Sequence, residues 1–192
     1  NNLVATAQFG VPNRFISMKS NPSNGRLYIA YADSIVEPRD YDIFVTSSSS
    51  AAGPWTSPVK VNDDPASSGS WQYWPSLSVA PNGRMDMIWY DKRDGASLLN
   101  VYYSVSLDAG YTWAANVKVT DAPSASSAYF AGDYIAIASV DEKAVAVWMD
   151  NRNQPQTPAP FTSYQEIYSA TVVVPLVSGV GQSSLTTISS AG

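Results

Sequence analysis

Short runs of alternating apolar and polar residues recur along the chain, separated by turn-forming residues, and no segment sustains a helical period. Leu27–Asp33 (LYIAYAD) is echoed by Met85–Asp91 (MDMIWYD) and again by Ala144–Asp150 (AVAVWMD). Each copy follows a turn: Asn24-Gly25-Arg26, Asn82-Gly83-Arg84 and Asp141-Glu142-Lys143. Each precedes a second strand-like piece, at Asp42–Val45, Asn100–Tyr103 and Glu166–Ser169. Between the first two copies one constant offset of 58 residues carries Asp33 to Asp91, Trp55 to Trp113, Val59-Lys60-Val61 to Val117-Lys118-Val119 and Pro65 to Pro123. Chance matches would scatter in spacing. The third copy drifts by one residue, carries a longer Pro/Gln-rich loop at 153–162, and stops after its third strand.

Aromatic and β-branched residues fill these segments, and Pro81-Asn82-Gly83 suits a tight hairpin. Four antiparallel strands per repeat unit, in tandem, predict the blades of a β-propeller. The expected blades are 14–65, 66–123 and 124–175. Residues 1–13 are left as a strand or linker, and 176–192 as a Ser/Thr/Gly-rich tail or extra strand. A β-sandwich is the alternative, but it does not require a constant offset.

Composition narrows the chemistry. The 192 residues include no cysteine and no histidine. This removes Cys/His zinc sites, thiol nucleophiles and Ser-His-Asp triads. With 16 acidic and 11 basic residues, a net charge of −5 and no basic run, nucleic acid is not an expected partner. No stretch reaches the roughly 20 apolar residues of a helical membrane span, and the first residues lack the pattern of a signal peptide. No cofactor is expected. Calcium among Asn62-Asp63-Asp64 or Lys92-Arg93-Asp94 is weighed against a solvated acidic loop, which the absence of EF-hand spacing favours.

One motif is specific. Ser106-Leu107-Asp108-Ala109-Gly110-Tyr111-Thr112-Trp113 reads S-x-D-x-G-x-T-W, and Ser48–Trp55 keeps its serine and tryptophan one repeat earlier. This resembles the Asp-box of the sialidase-type, or BNR-repeat, β-propellers. Trp89-Tyr90-Asp91-Lys92-Arg93, Trp148-Met149-Asp150-Asn151-Arg152 and Gly132-Asp133-Tyr134 are similar to stretches of exported members. The resemblance covers about residues 14–173. It implies a sialidase-like propeller, secreted or at the cell surface, with a glycan as partner. The box itself has a structural logic: the aspartate accepts backbone N–H groups, the glycine supplies positive φ, and the tryptophan buries its ring. Ser106, Asp108, Gly110, Thr112 and Trp113 are therefore expected to hold the fold.

In a blade of strands A to D, the A–B and C–D hairpins leave one end. The B–C loops and the crossings to the next blade leave the other, where the resemblance places the glycan site. That end receives Trp71, Tyr73, Trp74, Asp91, Arg93, Asp133, Asp150 and Arg152 as candidate ligand contacts. Aromatic faces pack on sugar C–H surfaces, arginines fork onto carboxylates, and aspartates accept from hydroxyls. Asp91–Arg93 and Asp150–Arg152 also read as ion pairs within or between blades, because a repeated residue usually serves the repeat. Trp71 and Trp74 do not recur, which favours a specific contact. The arginine triad, the Tyr/Glu pair and the R-I-P stretch that the resemblance requires of a sialidase are not found, so no catalytic residue is assigned.

Three blades do not close a ring. Either further blades of the same protein complete it, or copies of the chain associate; Leu3–Phe9 alternates as an added strand would. The leading expectation is a carbohydrate-binding module, alone or as part of a glycoside hydrolase. The competing one is a structural or adhesive assembly subunit without catalysis.

Overall fold

A computed structural model of the chain describes residues 15–34, 40–65, 68–125, 134–153, 166–174 and 187–191. Within them every regular element is a strand. Blade 1 comprises β1 (Ile16–Ser20), β2 (Leu27–Asp33), β3 (Asp42–Ser48) and β4 (Val59–Lys60), paired antiparallel in that order. Blade 2 comprises β5 (Gln72–Val79), β6 (Met85–Asp91), β7 (Leu98–Ser106) and β8 (Val117–Lys118), with β9 (Ser124–Ala125) added beside the start of β7. Blade 3 comprises β10 (Ile135–Ser139), β11 (Lys143–Asp150), β12 (Glu166–Val173) and β13 (Thr187–Ala191).

The repeat seen in the sequence is thus the blade. The equivalent aspartates end the second strand of each sheet: Asp33 pairs with Asp42, Asp91 with Asn100, and Asp150 with Glu166. Blade 3 does not stop at three strands, because Thr187–Ala191 pairs along β12, with Ile188 opposite Val172. Those Ser- and Thr-rich residues give no hydrophobic alternation to announce a strand. Ladder hydrogen bonds to the free edge of β12 supply the reason for one. The strand expected at Leu3–Phe9 lies outside the described residues.

Packing between blades follows the two-residue period of β6, all of which is buried. Met85, Met87 and Trp89 face blade 1, meeting Tyr28, Ala30 and Ala32 of β2 and Ile43 and Val45 of β3. Ile88 and Tyr90, with Val101 and Tyr103 of β7, face blade 3 and meet Ala144, Ala146, Trp148, Ala170 and Val172. Alanines on one sheet make room for large side chains on the next, which lets the sheets pack closely. Each fully buried large side chain contributes about 1.5–3 kcal/mol. The first strands sit side by side: Leu77 N–H of β5 donates to Ser17 Oγ of β1 at 3.0 Å.

The hairpin end is pinned by a buried ion pair. Arg84 and Asp86 meet at 3.0 Å with almost no exposure, and Tyr103 Oη donates to the same carboxylate. Arg84 Nη2 also donates to the Val140 carbonyl, and Nη1 to the Asp141 carbonyl, in the β10–β11 turn. The Asn82 N–H also donates to Asp141 Oδ1 at 2.9 Å, so the β5–β6 and β10–β11 turns are tied together.

Candidate ligand-binding face

The opposite end, where β2–β3, β6–β7 and β11–β12 are joined, carries two copies of one polar device. In blade 2 the Trp89 Nε1–H donates to Asp91 Oδ2 at 2.9 Å, and the Arg93 N–H donates to Asp91 Oδ1 at 2.8 Å. The Arg93 side chain pairs with Asp91, reaches back to Asp63 of blade 1 at 2.7 Å, and stacks over Tyr102 at 4.3 Å. In blade 3 Trp148 donates to Asp150 at 3.2 Å, and Arg152 pairs with Asp150 at 2.6 Å. Arg152 also reaches back to Asp121 of blade 2 and stacks over Tyr168 at 4.1 Å. Both aspartates are buried.

Burial alone would raise the Asp150 carboxyl. Arg152, Ser124 and Trp148 outweigh it and hold the group below the usual carboxylate range. The planar fork of arginine makes this geometry possible, since it serves two carboxylates and a ring face together. Asp91, Arg93, Asp150 and Arg152 thus lie on the end expected from the sequence, but their charges are turned onto one another and onto the preceding blade. The functional signature of a free carboxylate or guanidinium is missing from all four.

Asp63 and Asp64 belong to the same network. The Asn116 N–H donates to Asp63 Oδ2, while Asp64 accepts from Asn62, Ser68 and Gln72. Among the described residues no group of three Asp, Glu, His or Cys side chains is placed to hold a metal ion. Carboxylates farther out are engaged as well: Asp94 accepts from Tyr102, Asn100 and Lys118, and Glu166 from Asn153 and Tyr168.

The aromatic candidates separate. Trp74 is buried, 7% exposed, between blades 2 and 3, where it meets Phe15, Tyr73 and Tyr90 edge-on at 5.1–5.6 Å. It sits at φ 55, in a bulge that shifts the β5–β6 register between Tyr73 and Ser76. A bulky residue in the left-handed region is an outlier that the surrounding packing must hold. The expectation that Trp74 faces a ligand is corrected here, because its ring belongs to the core. The bulge has a second effect, since it re-aims the residues before it.

Trp71 and Tyr73 lie at that re-aimed start of β5, partly exposed. Trp71 bridges to Tyr41 of blade 1, whose ring meets it edge-on at 5.2 Å. Between them the Lys92 ammonium stands 5.5 Å from the Trp71 ring centre and 5.9 Å from that of Tyr73. Its backbone N–H donates to the Trp71 carbonyl at 3.0 Å, which fixes the start of the side chain. No carboxylate pairs with Lys92 among the described residues, and burial lowers its pKa from the ordinary lysine value. Trp71 Nε1 and Tyr73 Oη likewise have no hydrogen-bond partner among the described residues.

Lys92 was not among the candidates drawn from the sequence. The signal was available: in the aligned W-x-D-x-R positions blade 3 has Asn151, and blade 1 has Ser34 after its own aspartate. Lys92 differs from both in the way that Trp71 differs from its counterparts. Asp133 lies outside the described residues.

The S-x-D-x-G-x-T-W segment closes on itself at the hairpin end. Ser106 Oγ donates to Asp108 Oδ1 at 2.8 Å and accepts from the Gly110 N–H at 2.9 Å. The Thr112 N–H and Oγ1 donate to the Asp108 oxygens at 2.9 and 2.6 Å. Gly110 has φ 88, and a Cβ there would meet Met85. Trp113 packs on the core between blades 1 and 2. Beside this turn a cleft of about 280 Å³ runs between blades 1 and 2, walled by Tyr28, Val45, Val59 and Tyr111 with no charged side chain. It lies at the hairpin end, opposite the end that bears the Lys92 cluster.

No protein-family model matches the sequence, and no curated protein matches it. Solved structures do share the fold. A GH93 α-L-arabinofuranosidase from Fusarium graminearum superposes with a TM-score of 0.59 at 18% identity, over 82% of this chain and 44% of that one. It has been solved with arabinobiose and, as a mutant, with an iminosugar inhibitor. An α-L-arabinanase from Penicillium chrysogenum complexed with arabinobiose gives 0.61 at 16% identity, over 90% of this chain and 51% of that one. The chain spans about half the length of these neighbours. With three tandem antiparallel sheets and these counterparts, the chain has a β-propeller fold and contains three of its blades.

Proposed function

We propose that this chain supplies three adjacent blades of a carbohydrate-binding propeller, and that the sugar is met at the end bearing the β6–β7 loop. The observation that carries this reading is the cluster of Trp71, Tyr73 and Lys92. Two aromatic side chains and an ammonium group stand there, and Trp71 Nε1, Tyr73 Oη and Lys92 Nζ have no hydrogen-bond partner among the described residues. Such a group combines apolar ring surface with free donors, which is what a sugar ring with hydroxyls requires. The fold supports the same reading, since the solved neighbours bind arabinobiose or an iminosugar.

A finer assignment, to an exported module of sialidase type, rests on the closed turn from Ser106 to Trp113. Hydrolysis is not assigned to the described residues, because the carboxylates at the proposed end are bonded within the protein. The test is a glycan array followed by calorimetric titration of the strongest hits, with fluorogenic glycosides assayed in parallel. Saturable binding that Trp71→Ala abolishes supports the proposal; a folded protein that binds no glycan overturns it.

A second reading, assembly through the open sides of the terminal blades, has its own support. Ile16 and Met18 on β1 are 67% and 52% exposed, and Val145, Val147 and Ile167 line the free side of blade 3. Further blades of the same protein, or a second copy, would cover them.

A further inference from the structure

We infer that the Trp71–Tyr73–Lys92 cluster is built for a carboxylated sugar, with the carboxylate held by Lys92 Nζ and the ring against the exposed parts of Trp71 and Tyr73. This rests on the carbohydrate-binding reading and adds the class of sugar. The first argument is the charge inventory of that end of the blades. Lys60 pairs with Asp42, Arg93 with Asp91 and Asp63, Lys118 with Asp94, and Arg152 with Asp150 and Asp121. Lys92 is the one cation there without a carboxylate, among the described residues. The two arginines that would otherwise be candidates to fork a carboxylate are the links between blades and are not free to turn outward.

The second argument is placement. An ammonium group drawn in over two ring faces keeps part of its charge compensated by the aromatic quadrupoles, yet it retains N–H donors with nothing to donate to. Partial burial makes a charge-assisted hydrogen bond stronger than it would be in open water. A carboxylate, with its several acceptor sites, can take more than one of these ammonium N–H donors at once. The third argument is that the cluster does not serve the repeat. Ser34 and Asn151 stand at the positions equivalent to Lys92, and their blades close without a cation there. Removing the charge from Lys92 therefore leaves the blade-linking network intact.

The carboxylate could come from a uronate or from a sialate, so the experiment carries both. Tetragalacturonate and its carboxyl-reduced counterpart, and sialyllactose and lactose, are titrated into the protein, into Lys92→Met and into Trp71→Ala, with folding followed by circular dichroism. A charge-assisted hydrogen bond is worth roughly 1.5–3 kcal/mol, so the carboxylated member of one pair binds about 10- to 100-fold more tightly than its neutral partner. Lys92→Met removes that preference, Lys92→Arg restores part of it, and Trp71→Ala weakens both members. Whichever pair shows the preference identifies the source. Equal affinity within both pairs, or a preference that survives Lys92→Met, overturns the inference and leaves carbohydrate binding standing. Absence of any glycan binding overturns the underlying reading instead.

Discussion

Trp71 and Trp74 stand three residues apart and do different work. The ring of Trp74 fills the seam between blades 2 and 3, whereas Trp71 lies at the surface beside Lys92. Trp74→Ala is expected to cost about 3–5 kcal/mol of folding stability, in the range for large aromatic truncations, read as a shift of the urea midpoint. Trp71→Ala is expected to leave that midpoint nearly unchanged and to weaken glycan binding. The sequence told both residues apart from the repeat but could not tell them apart from each other. A one-residue bulge decides which of them points inward, and a bulge leaves no compositional mark when a tryptophan occupies its positive-φ position. Lys92 was legible only by comparing blades position by position. Its lowered pKa comes from burial, and the sign of the consequence follows. In the pH window just below the ordinary lysine value the unfolded chain binds more protons than the folded one, so stability rises with pH there. Affinity for a carboxylated sugar falls over the same window as the ammonium loses its proton. Titrations at stepped alkaline pH are expected to show both trends in the protein and neither in Lys92→Met.

At the scale of elements, the W-x-D-x-R segments are joints between blades. Each buried aspartate orients an arginine that reaches into the loop of the preceding blade, and recurrence in two blades is what the sequence offered as the mark of a structural pair. The tryptophans that donate to these aspartates belong to the motif itself, whereas Ser124 and Asn116 could not be read from spacing, because they come from distant segments of the chain. Asp150 is held below the ordinary carboxylate range. Its stabilising contribution is therefore present above the unfolded-state value and disappears as pH falls through the depressed folded value. Asp150→Asn is expected to flatten the acid side of the stability profile. At neutral pH it leaves Arg152 short of a buried partner and costs about 3–5 kcal/mol, measured by urea unfolding at stepped pH. A profile with unchanged slope would mean that the joint carries no net charge coupling.

At the scale of the whole molecule, the outer blades expose apolar side chains, Ile16 and Met18 on β1 of blade 1 and Val145 and Val147 on β11 of blade 3. The blade count was legible from the three echoes of Leu27–Asp33, two of them at a constant offset, and the strand content from two-residue alternation and hairpin turns, which are local properties. The fourth strand of blade 3 stood in the sequence only as an alternative to a tail at 176–192, since the pairing of Thr187–Ala191 depends on the edge that β12 offers. The free side of blade 3 exposes Val145 and Val147. The 192-residue chain is accordingly expected to self-associate, giving a light-scattering mass above the 20.6 kDa of one copy, and Val145→Glu with Val147→Glu is expected to lower that mass. A single-copy mass before substitution would show that these faces are covered within the chain.

The account depends most on where a sugar touches the protein, and the indole N–H signals of the six tryptophans report this directly. In a ¹H–¹⁵N NMR titration with tetragalacturonate or sialyllactose, the signal assigned by Trp71→Phe is expected to move saturably while those of Trp74 and Trp113 stay in place. A saturable shift at Trp113, at the opposite end of the blades, or binding that leaves Trp71 unmoved, would contradict the account.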